Sequence, residues 1–150
     1  MAEATHGIAV ACMEDMAVKL SSVKLIAKKV FDVYSESDLM DQGKLLKKPC
    51  VGILYEGIHA VPDGTGKGLS TELRLALAVI IESKDIGNLD RKDAAVDLLD
   101  EMRDKVKLTR SPGGYPWRFV MEAPVGLMGN NLAYVQRWST RLMLTGSDSC

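Results

Sequence analysis

The stretch Asp63-Gly64-Thr65-Gly66-Lys67-Gly68 is where the chain most invites chemistry, because glycines beside a lysine can cradle a phosphate. The phosphate-loop pattern needs a glycine five residues before the second glycine, and a Ser or Thr after the lysine. Here Val61 stands five before Gly66, and Gly68 follows Lys67. The stretch also joins two runs of strand character and does not open a helix, so no helix dipole would face an anion. Gly64, Gly66 and Lys67 therefore read as the tip of a hairpin, a segment for a partner to order. The two histidines, His6 and His59, have no carboxylate or cysteine at metal-ligand or triad spacing. Glu82, Asp85 and Asp90 read as a solvated turn followed by a helix cap. Lys44, Lys47 and Lys48 surround Leu45 and Leu46, which reads as a loop that docks its two leucines or offers a basic contact. No catalytic, cofactor-binding or metal-binding residue is expected.

Composition points the same way. The chain has 150 residues, 47% of them hydrophobic and 26% charged, which suits one globular domain. The net charge of -1 argues against a protein whose main task is to grip nucleic acid, since that needs a basic surplus. No apolar run is long enough to span a bilayer. Glu3, Glu14 and Asp15 interrupt the apolar N-terminal stretch, which excludes a secretory signal pattern. The three cysteines, Cys12, Cys50 and Cys150, are odd in number and widely spaced. A disulfide framework is therefore not expected, and a reducing cytoplasm is the natural compartment. Cys12 and Cys50 sit among apolar residues and read as small core groups.

The elements that must position these residues follow from periodicity. Ile8, Cys12, Met16, Leu20 and Val23 recur at helical steps, which predicts a first helix ending between Leu20 and Ala27. Val30 to Tyr34 reads as a short strand, residues 35–48 as a loop, and Cys50 to Gly57 as a strand bounded by Pro49. Residues 59–70 hold the glycine-rich tip. Leu73, Leu75, Leu77, Val79 and Ile81 then alternate, with Arg74, Ala76, Ala78 and Ile80 opposite, so Glu72 to Glu82 reads as a long strand. Two strands joined by that tip make an antiparallel hairpin. A second helix starts with Asp90 as N-cap and carries the stripe Ala95, Leu98, Leu99, Met102 and Val106, with Glu101 and Lys105 as an i,i+4 pair. After the turn Ser111-Pro112-Gly113-Gly114, Trp117 to Met121 reads as a strand and Pro124 to Asn131 as a loop. Leu132 to Leu144 reads as a last strand. Leu132, Tyr134, Gln136, Trp138, Thr140 and Leu142 share one side of it. Arg137, Ser139 and Arg141 take the other, wet side with Ala133 and Val135. Trp117 and Trp138 read as a core pair, or one of them as an interface anchor. The expected fold class is α+β: a mixed or antiparallel sheet of about five strands with two helices packed on one face, over residues 1–150 with a frayed tail from about 145.

This order of pieces resembles the tail terminator (tail completion) proteins of long-tailed bacteriophages. The resemblance rests on Val33-Tyr34 closing the first strand, Pro49 to Gly57, the long strand Leu73 to Ile81, the helix Ala95 to Met102, the aromatic-led Trp117 to Met121, and Tyr134 to Leu142. It implies a structural virion protein, not an enzyme, assembled in the host cytoplasm. A homo-hexameric ring would cap the head-proximal end of the tail tube, stop its polymerisation, and provide the docking surface for the head and neck. The implied partners are the tail tube protein, the head-side connector (stopper or neck) protein and, in a contractile tail, the sheath protein. DNA would pass through the ring without specific binding, and no membrane is involved. The candidate contact residues are Lys44, Leu45, Leu46, Lys47, Gly64, Gly66, Lys67, Arg74, Glu82, Trp117, Arg137 and Arg141. The alternatives are another head–tail connector or tube component, or a small cytoplasmic ligand-binding or enzymatic α+β domain.

Overall fold

The computed structural model describes residues 7–35, 37–39, 41, 49–61, 69–82, 89–128 and 131–144. The elements run α1 (Ile8–Leu20), a 3-10 turn (Lys24–Ile26), β1 (Val30–Val33), β2 (Cys50–Ala60), β3 (Leu69–Glu82), α2 (Leu89–Val106), β4 (Trp117–Met128) and β5 (Asn131–Leu144). The strands form one five-stranded sheet in the order β1-β2-β3-β5-β4. Only the β1–β2 pair is parallel, so the sheet is mixed and the α+β expectation holds.

Period two decides which face each residue takes. Leu73, Leu75, Leu77, Val79 and Ile81 of β3 enter the core with Val51 and Ile53 of β2 and with Trp138 and Leu142 of β5. Cys12, Met13, Met16 and Leu20 of α1 and Ala95, Leu98, Leu99, Met102 and Val106 of α2 cover that face. Both helices thus lie on one side, as their stripes require. Residue 23 is buried beyond the end of α1, because the 3-10 turn carries Val23 and Ile26 back into the core.

Several boundaries differ from the sequence reading. Within the segment read as a loop, residues 37–39 and 41 are helical. Ser35 Oγ accepts the Asp38 backbone N–H at 3.0 Å, and Asp38 Oδ2 accepts the Tyr34 N–H at 3.1 Å, a reciprocal cap that stabilises a helix start. The first strand stops at Val33, one residue short of Tyr34. β2 continues past Gly57 to Ala60, because a bulge between Tyr55 and Ile58 absorbs the glycine at φ +97°. The expected loop at Pro124 is strand: β4 runs to Met128 through register shifts at Phe119/Met121 and Pro124/Gly126. A proline is tolerated there because β4 is an edge strand, and Gly126 at φ +115° makes the kink. Asp90 lies inside α2, one residue after its start, and is not the N-cap. The expected Glu101–Lys105 pair does not form; Asp100 pairs with Arg103, and Asp104 with Lys107 at 2.8 Å.

Candidate functional site

The helices leave the other face of the sheet open, and β3 and β5 place arginines on it. Their register sets Arg74 beside Ser139, Ala76 beside Arg137 and Glu72 beside Arg141, all on the side away from the core. β4 adds Arg118 beside Ser139 and Met121 beside Arg137. At the tip-proximal end these residues form a shallow groove of about 530 Å³ lined by Glu56, His59, Glu72, Arg74, Val120 and Arg137.

The groove is built of ion pairs that cross the strands. Arg137 Nε donates to both carboxylate oxygens of Glu56, at 3.0 and 3.2 Å. Glu56 reaches Arg137 across Ala76, the small residue that stands between their strands. Arg137 Nη1 also lies 3.5 Å from Met121 Sδ. Arg74 Nε donates to Glu72 Oε2 at 3.1 Å. The Arg74 and Arg137 side chains remain 43% and 39% exposed. Such pairs are worth at most about 1 kcal/mol each, so they position charge more than they hold the fold. Arg141 Nη1 reaches Ser70 Oγ at 3.5 Å. Arg118 is exposed. Neither Arg118 nor Arg141 has a carboxylate partner among the described residues.

Toward β1 the same face turns apolar. A side chain at Gly52 would meet Val33 Cγ2 at 2.7 Å, Leu39 Cδ1 at 3.1 Å and Phe31 Cε2 at 3.1 Å. The helical residues 37–39 thus lay Leu39 over a strand position that glycine fills without a clash. The side of β5 read as wet is accordingly mixed: Ala133, Val135 and Ser139 are buried, Arg137 and Arg141 are half-buried, and Met143 is exposed.

The covered face holds its own polar chain. Gln136 is fully buried; its Nε2 donates to Glu122 Oε1 at 2.8 Å and to the Leu99 carbonyl at 3.2 Å, and its Oε1 accepts the Trp138 ring N–H at 2.8 Å. Arg103 of α2 grips both Glu122 oxygens at 2.5 Å. Every member has a partner, so the chain fixes α2 over β4 and β5 without an orphaned polar group. A second tie runs from α1 to β4: Trp117 Nε1 and Lys19 Nζ share Asp15 Oδ2, at 2.9 and 2.5 Å.

The structure sorts the candidate contact residues. Arg74, Arg137 and Arg141 gather on the open face. Trp117 does not join them: it is buried in the core of its own chain, which removes it as a surface anchor. Trp138 packs in that core edge-to-face with Phe119, ring centroids 5.5 Å apart. Glu82 closes β3 opposite Asn131, away from the groove. Lys44, Leu45, Leu46, Lys47, Gly64, Gly66 and Lys67 lie outside the described residues, as does His6. Glu56, Glu72, Arg118 and His59 were not expected to join the surface. Plain alternation from Gly52 and Leu54 carries Glu56 to it, whereas a flip of parity across the Tyr55–Ile58 bulge brings His59 there, and the signal for that flip was Gly57.

His59 Nε2 lies 2.9 Å from the Glu56 carbonyl oxygen. Burial, and then the charge of Asp15, pushes the Cys12 thiol up to about 11, so it stays protonated and unreactive at neutral pH. Among the described residues no group of three or more His, Cys, Asp or Glu could hold a metal ion, and no helix is long and apolar enough to cross a membrane.

No protein-family model matches the chain, and no curated protein does. Among solved structures it is similar to a chain from the virion of a native gene transfer agent particle, with 14% identity, 93% of this chain and 100% of that chain covered, and a TM-score of 0.63. At that identity the likeness shows a shared fold over nearly the whole length of both chains.

Proposed function

We propose that the chain is a structural virion protein of the tail terminator kind. It forms a homo-hexameric ring on the head-proximal end of a tail tube, stops tube growth and presents a docking surface to the head-side connector. The observation that carries this reading is the whole-length fold likeness to a chain of a virion particle. The element pattern named in the sequence supports the finer role. A ring needs one heterologous interface repeated about an axis, and a sheet with one covered and one open, charged face has the asymmetry such a contact uses. In this reading the protein works by shape and repeated contact and carries out no turnover. Its neighbours are the tube protein below, the connector above and, in a contractile tail, the last sheath ring. DNA passes through the lumen.

The test is mass in solution, by sedimentation, with purified tail tubes added and tube ends viewed by electron microscopy. A six-fold ring mass and capped, length-arrested tubes are expected. A strict monomer that leaves tube ends uncapped overturns the reading.

A further inference from the structure

The open sheet face and the outer face of α2 carry opposite charge, and they point to opposite sides of one chain. The sheet face presents four arginines, Arg74, Arg118, Arg137 and Arg141, against two glutamates, Glu56 and Glu72. On α2, between residues 95 and 106, four exposed carboxylates (Asp97, Asp100, Glu101 and Asp104) stand against Arg103 and Lys105. Among these residues the two surpluses are of opposite sign. They cannot meet within one chain, because the sheet and its core lie between them.

We propose that the arginine-bearing sheet face of one copy receives the acidic face of α2 of the next. The proposal rests on the ring reading above and names the surfaces that would close it. A head-to-tail contact of this kind is heterologous, so it repeats around an axis and leaves neither charged surface unpaired inside a closed ring. The dimensions agree. Asp97 and Asp104 are separated by about 10 Å along the helix axis at 1.5 Å per residue. Arg118 and Arg74 stand one strand apart on either side of Ser139, also about 10 Å at the spacing of sheet strands. Arg118 and Arg141, which have no carboxylate partner among the described residues, are the groups a neighbour's carboxylates would satisfy. The interleaved Glu56 and Glu72 disfavour the continuous phosphate row of a nucleic acid and favour a partner with spaced carboxylates. Complementary potentials across an interface fix register and exclude wrong pairings.

Charge exchange tests it. Two surface doubles of the full chain, Arg118→Glu/Arg141→Glu and Asp97→Lys/Glu101→Lys, are measured for ring mass with tail tubes added. Circular dichroism melts are run alongside to verify folding. Each double is expected to weaken ring formation by about tenfold or more, and the quadruple variant to recover most of that loss. The helix-side double touches only exposed side chains, so it tests the contact even if the sheet-side double folds poorly. Rings of full mass in the folded doubles, or no recovery in the quadruple, overturn the proposal and leave the terminator reading standing. A wild-type chain that never self-associates, even on tube ends, overturns both. A complex with duplex DNA that the sheet-side double abolishes and the helix-side double leaves intact also overturns it, in favour of a nucleic-acid occupant.

Discussion

The two faces of the sheet solve different problems with the same five strands. On the covered face the side chains under the helices are dry, and the polar chain Arg103–Glu122–Gln136–Trp138 is completely paired. On the open face the ion pairs stay in contact with water, and two arginines have no acidic partner among the described residues. Burial of apolar area scales at about 25 cal/mol per Å², whereas exposed ion pairs contribute about 0–1 kcal/mol each. The covered face therefore holds the fold, and the ion pairs of the open face add little to it. Gly52 marks the border between the two regimes, where Phe31, Val33 and Leu39 close over the open side.

Substitutions can break or sharpen that contrast. The largest loss is expected for Trp138→Ala, which empties a core position and strips the partner from Gln136 Oε1. About 3–5 kcal/mol of unfolding free energy should disappear in a urea titration. Gln136→Leu keeps the volume but leaves the buried Trp138 N–H unpaired, so about 1–3 kcal/mol should go. If it melts like the wild type, the polar chain is not what fixes α2.

A pH-dependent loss should follow from Cys12. Its folded-state thiol is raised from 9.0 to about 11, so the folded chain keeps a proton that the unfolded chain releases. Stability should be full below pH 9 and decline as pH rises toward 11, and Cys12→Ala should remove that part of the decline. The smallest effect belongs to the open face. Arg137→Ala should cost no more than about 1 kcal/mol in the same titration. A loss of several kcal/mol there would erase the distinction between the faces.

The sequence made the covered face legible because burial enforces periodicity. The alternation from Leu73 to Ile81 and the stripe from Ala95 to Val106 both entered the core as expected. So did the two-helices-on-one-face arrangement. What it hid were features set by single residues against the pattern. Gly57 reverses side-chain parity and moves His59 to the groove. Gly126 lets Pro124 remain in an edge strand. Ser35 and Asp38 start a helix in a polar stretch too short to show a repeat. Gln136 did carry a signal, a lone amide on the apolar side of β5. Its partners on α2 and β4 were distant in sequence and could not be paired by spacing. Trp117 was legible as a core residue, and its offer as a surface anchor fails for that reason.

The strand order β1-β2-β3-β5-β4 has a kinetic consequence. β2–β3 and β4–β5 are hairpins of neighbouring strands, while the central seam β3–β5 pairs Glu82 with Asn131 and Leu69 with Leu144 across the whole of α2. Closing that seam requires a long loop to be organised first, which is the slow kind of contact in folding. Pulsed hydrogen exchange during refolding should therefore protect the amides facing within each hairpin before those that face the seam; simultaneous protection would refute this order. The groove takes Glu56 and Arg74 from one hairpin and Arg137 from the other. It comes into existence only when the seam closes, so a chain with two separate hairpins has no groove.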